Sequence, residues 1–450
     1  MKYKIKELFE GSTFFLSNEK RDVGNNKELI FVCNYESEVK NVKTKIRLGR
    51  KDIISLRDKA LLSKIITNDK YYFINSITEI INISGLLKEL YIRGYPKIIR
   101  VRIYYKVEII KKEKGEKNEI IPKIELYIDD KNKNSFKDII VELKNILEEF
   151  KDIQINSYKS MPLIRYLYGR QFNLLYDTFN GKKSNQLQYL LKYITNDSIK
   201  LMLNEFSLRN KGDLIQNNIQ DWNDYLNEVL KINKITLEGI YQPTLIKPNK
   251  LYKNSGVFTY ICEQPEKNIF QIYKYLTNNN LIAQNILLCN RMTSNEEITA
   301  FLYRAILCEY NSCFIINGSE SLENEQKSKI IELLDDLNLK KAKEMKSCII
   351  LLFNSKYSDI YKQLETKMYT YILSINDAEI VKEKYENNDI EIIKSDKSGV
   401  GKSTKIKLDI EKMKKKRIYF NCGGSFTKED ILSRLKNLKL DNNCALHLDL

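Results

Sequence analysis

Residues 395–404 read "SDKSGVGKST". Placed after a strand and before a helix, a run of this type binds phosphate. Successive backbone N–H groups converge on the anion, and the helix N-terminus adds a favourable dipole. The lysine then reaches the outer phosphate oxygens and the hydroxyl after it holds Mg²⁺. Gly399, Gly401, Lys402 and Ser403 are in register for those roles, with Ser398, Val400 and Thr404 completing the stretch that would line the phosphates. Asp396 stands where the full pattern has its first glycine, and it brings a carboxylate near the triphosphate unless it points away. The plain alternative is a glycine-rich turn with no ligand.

Such a site needs a second carboxylate on the metal, at the end of a neighbouring apolar strand. "CALHLDL" supplies Asp449, with room for one strand and two helices between it and Lys402. The next position normally carries the glutamate that polarises the attacking water. Here it is Leu450, which can neither accept a proton nor orient water. The expectation is a site for ATP and Mg²⁺, the metal held by Ser403 and Asp449, with no catalytic residue and no turnover. An aspartate capping a strand end is the plain reading of Asp449. His447 shares a strand face with Asp449 by the period of two; as a packed strand histidine it is assigned no role.

The elements that position these residues form an α/β pattern. "IEIIKS" is the strand before the loop, a helix runs from Gly401 to about Lys415, and "RIYFNCG", "TKEDILSRLKNL" and "CALHLDL" follow as strand, helix and strand, so that 390–450 begins a unit. Residues 250–376 show the same alternation in full. "GVFTYIC", "NILLCN", "SCFIING", "SCIILLFN" and "YTYILSI" are apolar strands separated by helical stretches, the pattern of a parallel sheet covered on both faces. In that unit the phosphate loop is replaced by "EQPEK". Pro265 and the carboxylates of Glu263 and Glu266 offer no dense set of N–H donors and repel phosphate. Asn317-Gly318 stands where a metal-binding aspartate would be, and Asn354 is a polar strand-end residue that alone cannot bind nucleotide. The unit reads as a degenerate nucleotide-binding fold kept as a scaffold.

Ahead of it, residues 1–155 mix helix and strand. "KDIISLRDKALLSKII" and "INSITEIINISGLLKELYIRGYP" have helical spacing, the second ending near Gly94 and Pro96. "KIIRVRIYYKVEII" and "EIIPKIELYIDD" form a long hairpin across a charged loop, and "FKDIIVELKNILEEF" is an amphipathic helix. Residues 156–245 read as helical, from "RYLYGRQFNLLYDTF" through "NQLQYLLKYI" and "DSIKLMLNEF" to "IQDWNDYLNEVLKI".

Composition bounds the partners. The chain has 450 residues and 43% hydrophobic content, enough for two or three domains. The formal charge of +16 admits an anionic partner, but the lysines are dispersed along the whole length, so no nucleic-acid partner is expected. Eight cysteines (Cys33, Cys262, Cys289, Cys308, Cys313, Cys348, Cys422 and Cys444) contain no Cys-x-x-Cys pair, and His447 is the only histidine, which argues against a zinc site. The cysteines in "SCFII" and "SCIILLF" read as small core residues of a reducing, cytoplasmic protein. No stretch approaches the roughly eighteen apolar residues of a membrane span.

Tandem units, one degenerate and the next bearing "SDKSGVGKS" then "HLDL", resemble the core of the mysterin family of giant AAA-type RING ubiquitin ligases. "PLIRYLYGRQFNLLYDTF" looks like the block that family carries ahead of its first ATPase unit, and "NILLCNRMTSNEEITAFLYRAI" resembles a strand–helix of that unit. The likeness spans roughly residues 45–450, patchily before 160, and rests on the order of blocks. It implies an E3 ligase with a dynein-like row of AAA-type P-loop NTPase units, acting on proteins or on pathogen lipid. The second unit there holds ATP as a structural ligand, which maps onto Lys402, Ser403 and Asp449. On this resemblance the second unit here is incomplete. The chain is then expected to be a fragment or a truncated gene product without the RING and transfer modules that engage a ubiquitin-conjugating enzyme, to work with the rest of a ligase chain, and to catalyse neither reaction itself. The competing readings are a free-standing P-loop ATPase acting on nucleic acid and a structural interaction module without nucleotide.

Overall fold

The computed structural model describes residues 12–17, 33–39, 42–48, parts of 54–61, 68–110, 119–173, parts of 190–195, 215–241, 255–262, 265–279, 281–341, 345–367, 370–372, 401–421 and 444–449. The chain divides into two compact units, residues 1–383 and 384–450.

The first unit opens with β1 (Ser12–Ser17), β2 (Cys33–Val39) and β3 (Val42–Leu48), continues through α1 (Asn68–Arg93), β4 (Arg100–Ile110), β5 (Glu119–Ile128) and β6 (Lys131–Lys133), and reaches α2 (Phe136–Ser160). The strands form one antiparallel sheet in the order β3-β2-β1-β4-β5-β6. The expected hairpin is β4–β5, in register from Val101↔Ile128 to Ile110↔Glu119. Ile77, Ile80, Leu87 and Leu90 of α1 and Ile139, Leu143, Leu147 and Phe150 of α2 recur at three- and four-residue spacing, so each helix buries one stripe on the sheet. Ser135 caps α2 by accepting from the Asp138 N–H at 3.2 Å. Gly94, at φ +80°, ends α1 and lies so close to Gly169 that a Cβ there would be 2.1 Å from the Gly169 carbonyl oxygen. The expected helix at 51–66 lies largely outside the described residues.

The stretch 165–179 departs from its helical reading. Ile164–Tyr166 make a single 3₁₀ turn, Leu167 is extended, and Gly169 takes φ +51°; helix resumes at 171 and is described only to 173. Two buried arginines account for the break. Arg165 donates to the carbonyls of Tyr158 (2.7 Å) and Lys159 (3.2 Å) at the end of α2, and to that of Leu307 (2.8 Å). Arg304 donates to the Arg165 carbonyl (3.0 Å) and to that of Gln284 (2.7 Å), and its guanidinium lies 4.7 Å from the centre of the Tyr166 ring. Positive side chains at helix C-termini satisfy orphan carbonyls and oppose the dipole; a regular helix through 165–170 would carry Arg165 away from them. The segment 197–206 lies outside the described residues. α3 (Ile215–Ile232) and α4 (Leu237–Tyr241) continue the helical region, and their buried faces join the same core as the sheet that follows.

That sheet contains β7 (Gly256–Ile261), β8 (Ile286–Leu288), β9 (Cys313–Asn317), β10 (Cys348–Phe353) and β11 (Thr370–Ile372). All pairings are parallel, in the order β11-β7-β10-β9-β8. α5 (Pro265–Thr277) packs on one face. α6 (Asn295–Ile306), α7 (Asn324–Lys341) and α8 (Asp359–Glu365) pack on the other. Burial on both faces explains the unbroken apolar runs of β9 and β10. β9 and β10 each begin with a Ser-Cys pair, and the buried serines donate to carbonyls, Ser312 to Tyr241 and Ser347 to Ala305.

The second unit contains α9 (Lys402–Lys412), β12 (Lys416–Asn421) and β13 (Cys444–Asp449), the strands pairing in parallel. The fold is thus α/β, with one antiparallel sheet, one five-stranded parallel sheet and a parallel pair.

Candidate nucleotide site at the head of the last helix

Gly401 is the N-cap of α9, at φ +82° and ψ 19°. This left-handed conformation suits glycine because a Cβ there crowds the backbone. No side chain caps the helix, and no acidic residue occupies its first turn. Among the described residues, the N-terminal end of α9 thus presents the first-turn N–H groups of Lys402, Ser403 and Thr404 with no cap from the side chain of its N-cap residue. Among the described residues, a Cβ at Gly401 would meet nothing within 4 Å. Charge along α9 runs in part against its dipole: Lys402, Lys405 and Lys407 fill the first half and Asp409 and Glu411 follow, with Lys412 in the last turn the exception. Left alone, that order weakens a helix; an anion at the N-terminus reverses the balance. This pattern is legible in the sequence from the order of the lysines and carboxylates.

The turn after α9 fixes where this end lies. The Met413 N–H donates to Asp409 O (3.1 Å), Lys415 N–H to Ile410 O (3.3 Å), and Lys414 adopts φ +52°. The chain reverses, so α9 runs back along β12 and packs on both strands of the pair. Its first turn therefore lies at the end where the strands finish, at Asn421 and Asp449, which are paired in register. Gly401, Lys402, Ser403, Thr404 and the backbone of Asp449 are thus brought to one end of the unit. Asp396, Ser398, Gly399, Val400, Leu450 and the strand at 390–395 lie outside the described residues, as does the expected helix at 427–438.

His447 is buried at 2% exposure. Its Nδ1 accepts from Arg417 Nε (3.1 Å) and lies 2.7 Å from Arg417 Nη2. Those donors assign the ring proton to Nε2 in a neutral imidazole. The ring meets Tyr419 edge-on at 5.0 Å, and the Arg417 guanidinium lies 4.8 Å from the centre of the Tyr419 ring. Its partners are those of a packed strand histidine.

At the corresponding rim of the parallel sheet, the described loops bond to one another. Pro265 occupies the first position of α5, where its missing N–H costs nothing. Glu263 lies outside the described residues, and of Glu266 only the backbone, within α5, is described. Gly318 takes φ +77°, but a Cβ there would stand 2.7 Å from the Cys289 carbonyl oxygen. Cys289 N–H donates to Asn317 O at 2.8 Å, and Asn354 N–H to a Glu320 carboxylate oxygen at 3.2 Å. The loops after β8, β9 and β10 thus bond to one another through Cys289, Asn317, Asn354 and Glu320, while the buried Asn317 Oδ1 and Ser319 Oγ have no hydrogen-bond partner among the described residues, and Glu320 adds negative charge. Burial, followed by the nearby Glu297 carboxylate, pushes the Cys289 thiol up to about 12.

Among the described residues, no three His, Cys, Asp or Glu side chains gather to hold a metal, and no helix is long and apolar enough to cross a membrane. No family model matches the chain, and no curated protein matches it significantly.

Proposed function

We propose that residues 390–450 form a nucleotide-binding unit that holds Mg-ATP as a retained ligand, and that residues 250–376 are its degenerate neighbour, serving as scaffold. The observation that carries this reading is the head of α9: a glycine N-cap at φ +82°, no acidic residue in the first turn, and Lys402 and Ser403 within that turn, at the end where β12 and β13 finish. Lys402 would meet the outer phosphate oxygens, and Ser403 with Asp449 would hold the magnesium, which supplies charge neutralisation when bound. Leu450 offers no base, so the ligand is kept rather than cleaved.

The wiring supports a tandem of AAA-type P-loop units. Numbered within its own unit, the sheet order β11-β7-β10-β9-β8 is 5-1-4-3-2, the order AAA-type ATPases share. The second unit repeats part of it: β12 pairs in parallel with β13 as β8 does with β9. With the block order in the sequence, this supports a mysterin-like ligase core, cytoplasmic and working with further modules of such a ligase.

The test is nucleotide content and turnover of the purified full-length chain. Bound adenine nucleotide should be recovered after denaturation, or be taken up from Mg-ATP, and Lys402→Ala should abolish it. Hydrolysis at several turnovers per minute would overturn retention. Failure of the wild type to bind any nucleotide would leave an interaction module without ligand.

A further inference from the structure

The antiparallel sheet of the first unit has two faces, and α1 and α2 cover one of them. On β4, buried Val101 and Ile103 alternate with Arg100, Arg102 and Tyr104; on β5, buried Leu126 and Ile128 alternate with Glu125 and Tyr127. The buried set joins the core under the helices. The other set stands on the opposite face, where Arg100 and Arg102 are exposed and Tyr104 and Tyr127 half-buried. Pairing brings residues distant in sequence into one tile: Arg102 is opposite Tyr127, Tyr104 opposite Glu125, and Ser17 of β1 opposite Arg100. The two phenol rings are diagonal neighbours, which in an antiparallel pair stand about 7 Å apart.

We propose that this face binds single-stranded nucleic acid, with Tyr104 and Tyr127 stacking bases and Arg100 and Arg102 meeting phosphates. Sequence-tolerant single-strand recognition needs rings on a rigid surface and cations beside them, and a sheet with helices on its far side supplies both. The carboxylates nearby have partners within the sheet. Glu125 accepts from the Tyr127 hydroxyl at 3.4 Å, and Asp129 accepts from the Arg100 backbone N–H at 2.9 Å. An anionic polymer complements the two exposed guanidinium groups, and the chain's +16 charge draws it in. The dispersed lysines gave no sign of this in the sequence, because it is the β4–β5 register that gathers the tile.

The test is titration of the full-length chain with a labelled oligothymidylate of about 12 nucleotides, within the site size of one such surface, at several salt concentrations. Binding should weaken with salt. The double variant Arg100→Glu/Arg102→Glu should reduce the slope of log affinity against log salt by about 1.4, two phosphates at about 0.7 each. Tyr104→Ala and Tyr127→Ala should each weaken binding about 5- to 100-fold, and Tyr→Phe at either position should restore it. If an alanine variant unfolds, Tyr104→Leu, with an unchanged melting temperature, serves in its place. ATP binding should be unaffected by the arginine variants, so this inference can fail while the nucleotide reading stands. No binding, or binding indifferent to both pairs, overturns the proposal. So does equal displacement by polyglutamate with no dependence on the tyrosines, which would mark the face as one for acidic peptides.

Discussion

Gly318 and Gly401 share a backbone conformation, at φ +77° and +82°. Gly318 follows β9 in the parallel sheet and is wedged against the Cys289 carbonyl; Gly401 heads α9, and among the described residues nothing lies within 4 Å of where its Cβ would be. Both positions call for glycine, for different reasons. At Gly318 the missing Cβ lets two rim loops approach and bond to each other, which closes the sheet end. At Gly401 a Cβ would meet nothing within 4 Å among the described residues, and the first-turn N–H groups of α9 follow directly. A glycine after a strand therefore does not announce a ligand site. What distinguishes the two is whether the space a Cβ would fill already belongs to the protein.

The comparison breaks most readily at the closed rim. Gly318→Ala adds left-handed strain to a 2.7 Å contact with backbone, and should cost at least about 3 kcal/mol of stability in a denaturant titration. A loss under about 1 kcal/mol would mean that the rim yields, and the distinction between the two glycines would collapse.

At the open end, Lys402→Ala should leave the unliganded melting temperature unchanged, since the side chain is half-exposed and in no ion pair among the described residues. It should remove the stabilisation that Mg-ATP gives the wild type, about 2.7 kcal/mol at a hundredfold excess over the dissociation constant. Equal ligand-induced shifts in both proteins would detach Lys402 from the site.

Gly401→Ala sharpens the same contrast. With nothing within 4 Å, it carries only the backbone penalty of about 1 kcal/mol. Its unliganded loss should thus be smaller than that of Gly318→Ala, read by the same titration.

The smallest effect near neutral pH comes from Cys289, whose thiol is held at about 12 against an ordinary 9.0. A folded pKa raised in this way contributes stability that is fully present below pH 9. It is lost as pH rises through 12, because the unfolded chain ionises first. Melting temperature should be flat up to about pH 8 and fall between pH 9 and 12, and Cys289→Ala should flatten that fall. A wild-type curve already falling below pH 8 would show that the rim is not closed around the thiol.

Much of the parallel sheet was legible because its strands are buried on both faces, which writes each as an apolar run bounded by polar turns. The helices after β8 and β10 start at Ser294 and Ser358, whose side chains accept from the Glu297 and Tyr361 N–H groups. β2 and β3 were not read as strands: "CNYESEV" and "VKTKIRL" carry charges at every second position or denser, and only pairing with each other and with β1 makes them a sheet. The helix read through 165–170 failed because helical spacing cannot report that Arg165 is held both by the end of α2 just before it and by the Leu307 carbonyl far along the chain. At the candidate site, Gly401, Lys402 and Ser403 were legible from type and spacing, whereas the reversed charge order of α9 gains meaning only once the helix ends are fixed.

The sequence by itself determined the alternation of strand and helix after residue 250 and the Gly-Lys-Ser head of α9. Each is local: a run, a spacing or a residue type acts within a few positions along the chain. Only the tertiary structure decided that β10 inserts between β7 and β9, that Arg102 is paired opposite Tyr127 on the next strand, and that the left-handed Gly318 is packed against the Cys289 carbonyl. Strand order and register depend on contacts between segments far apart in the chain, and those are settled by which apolar faces bury one another.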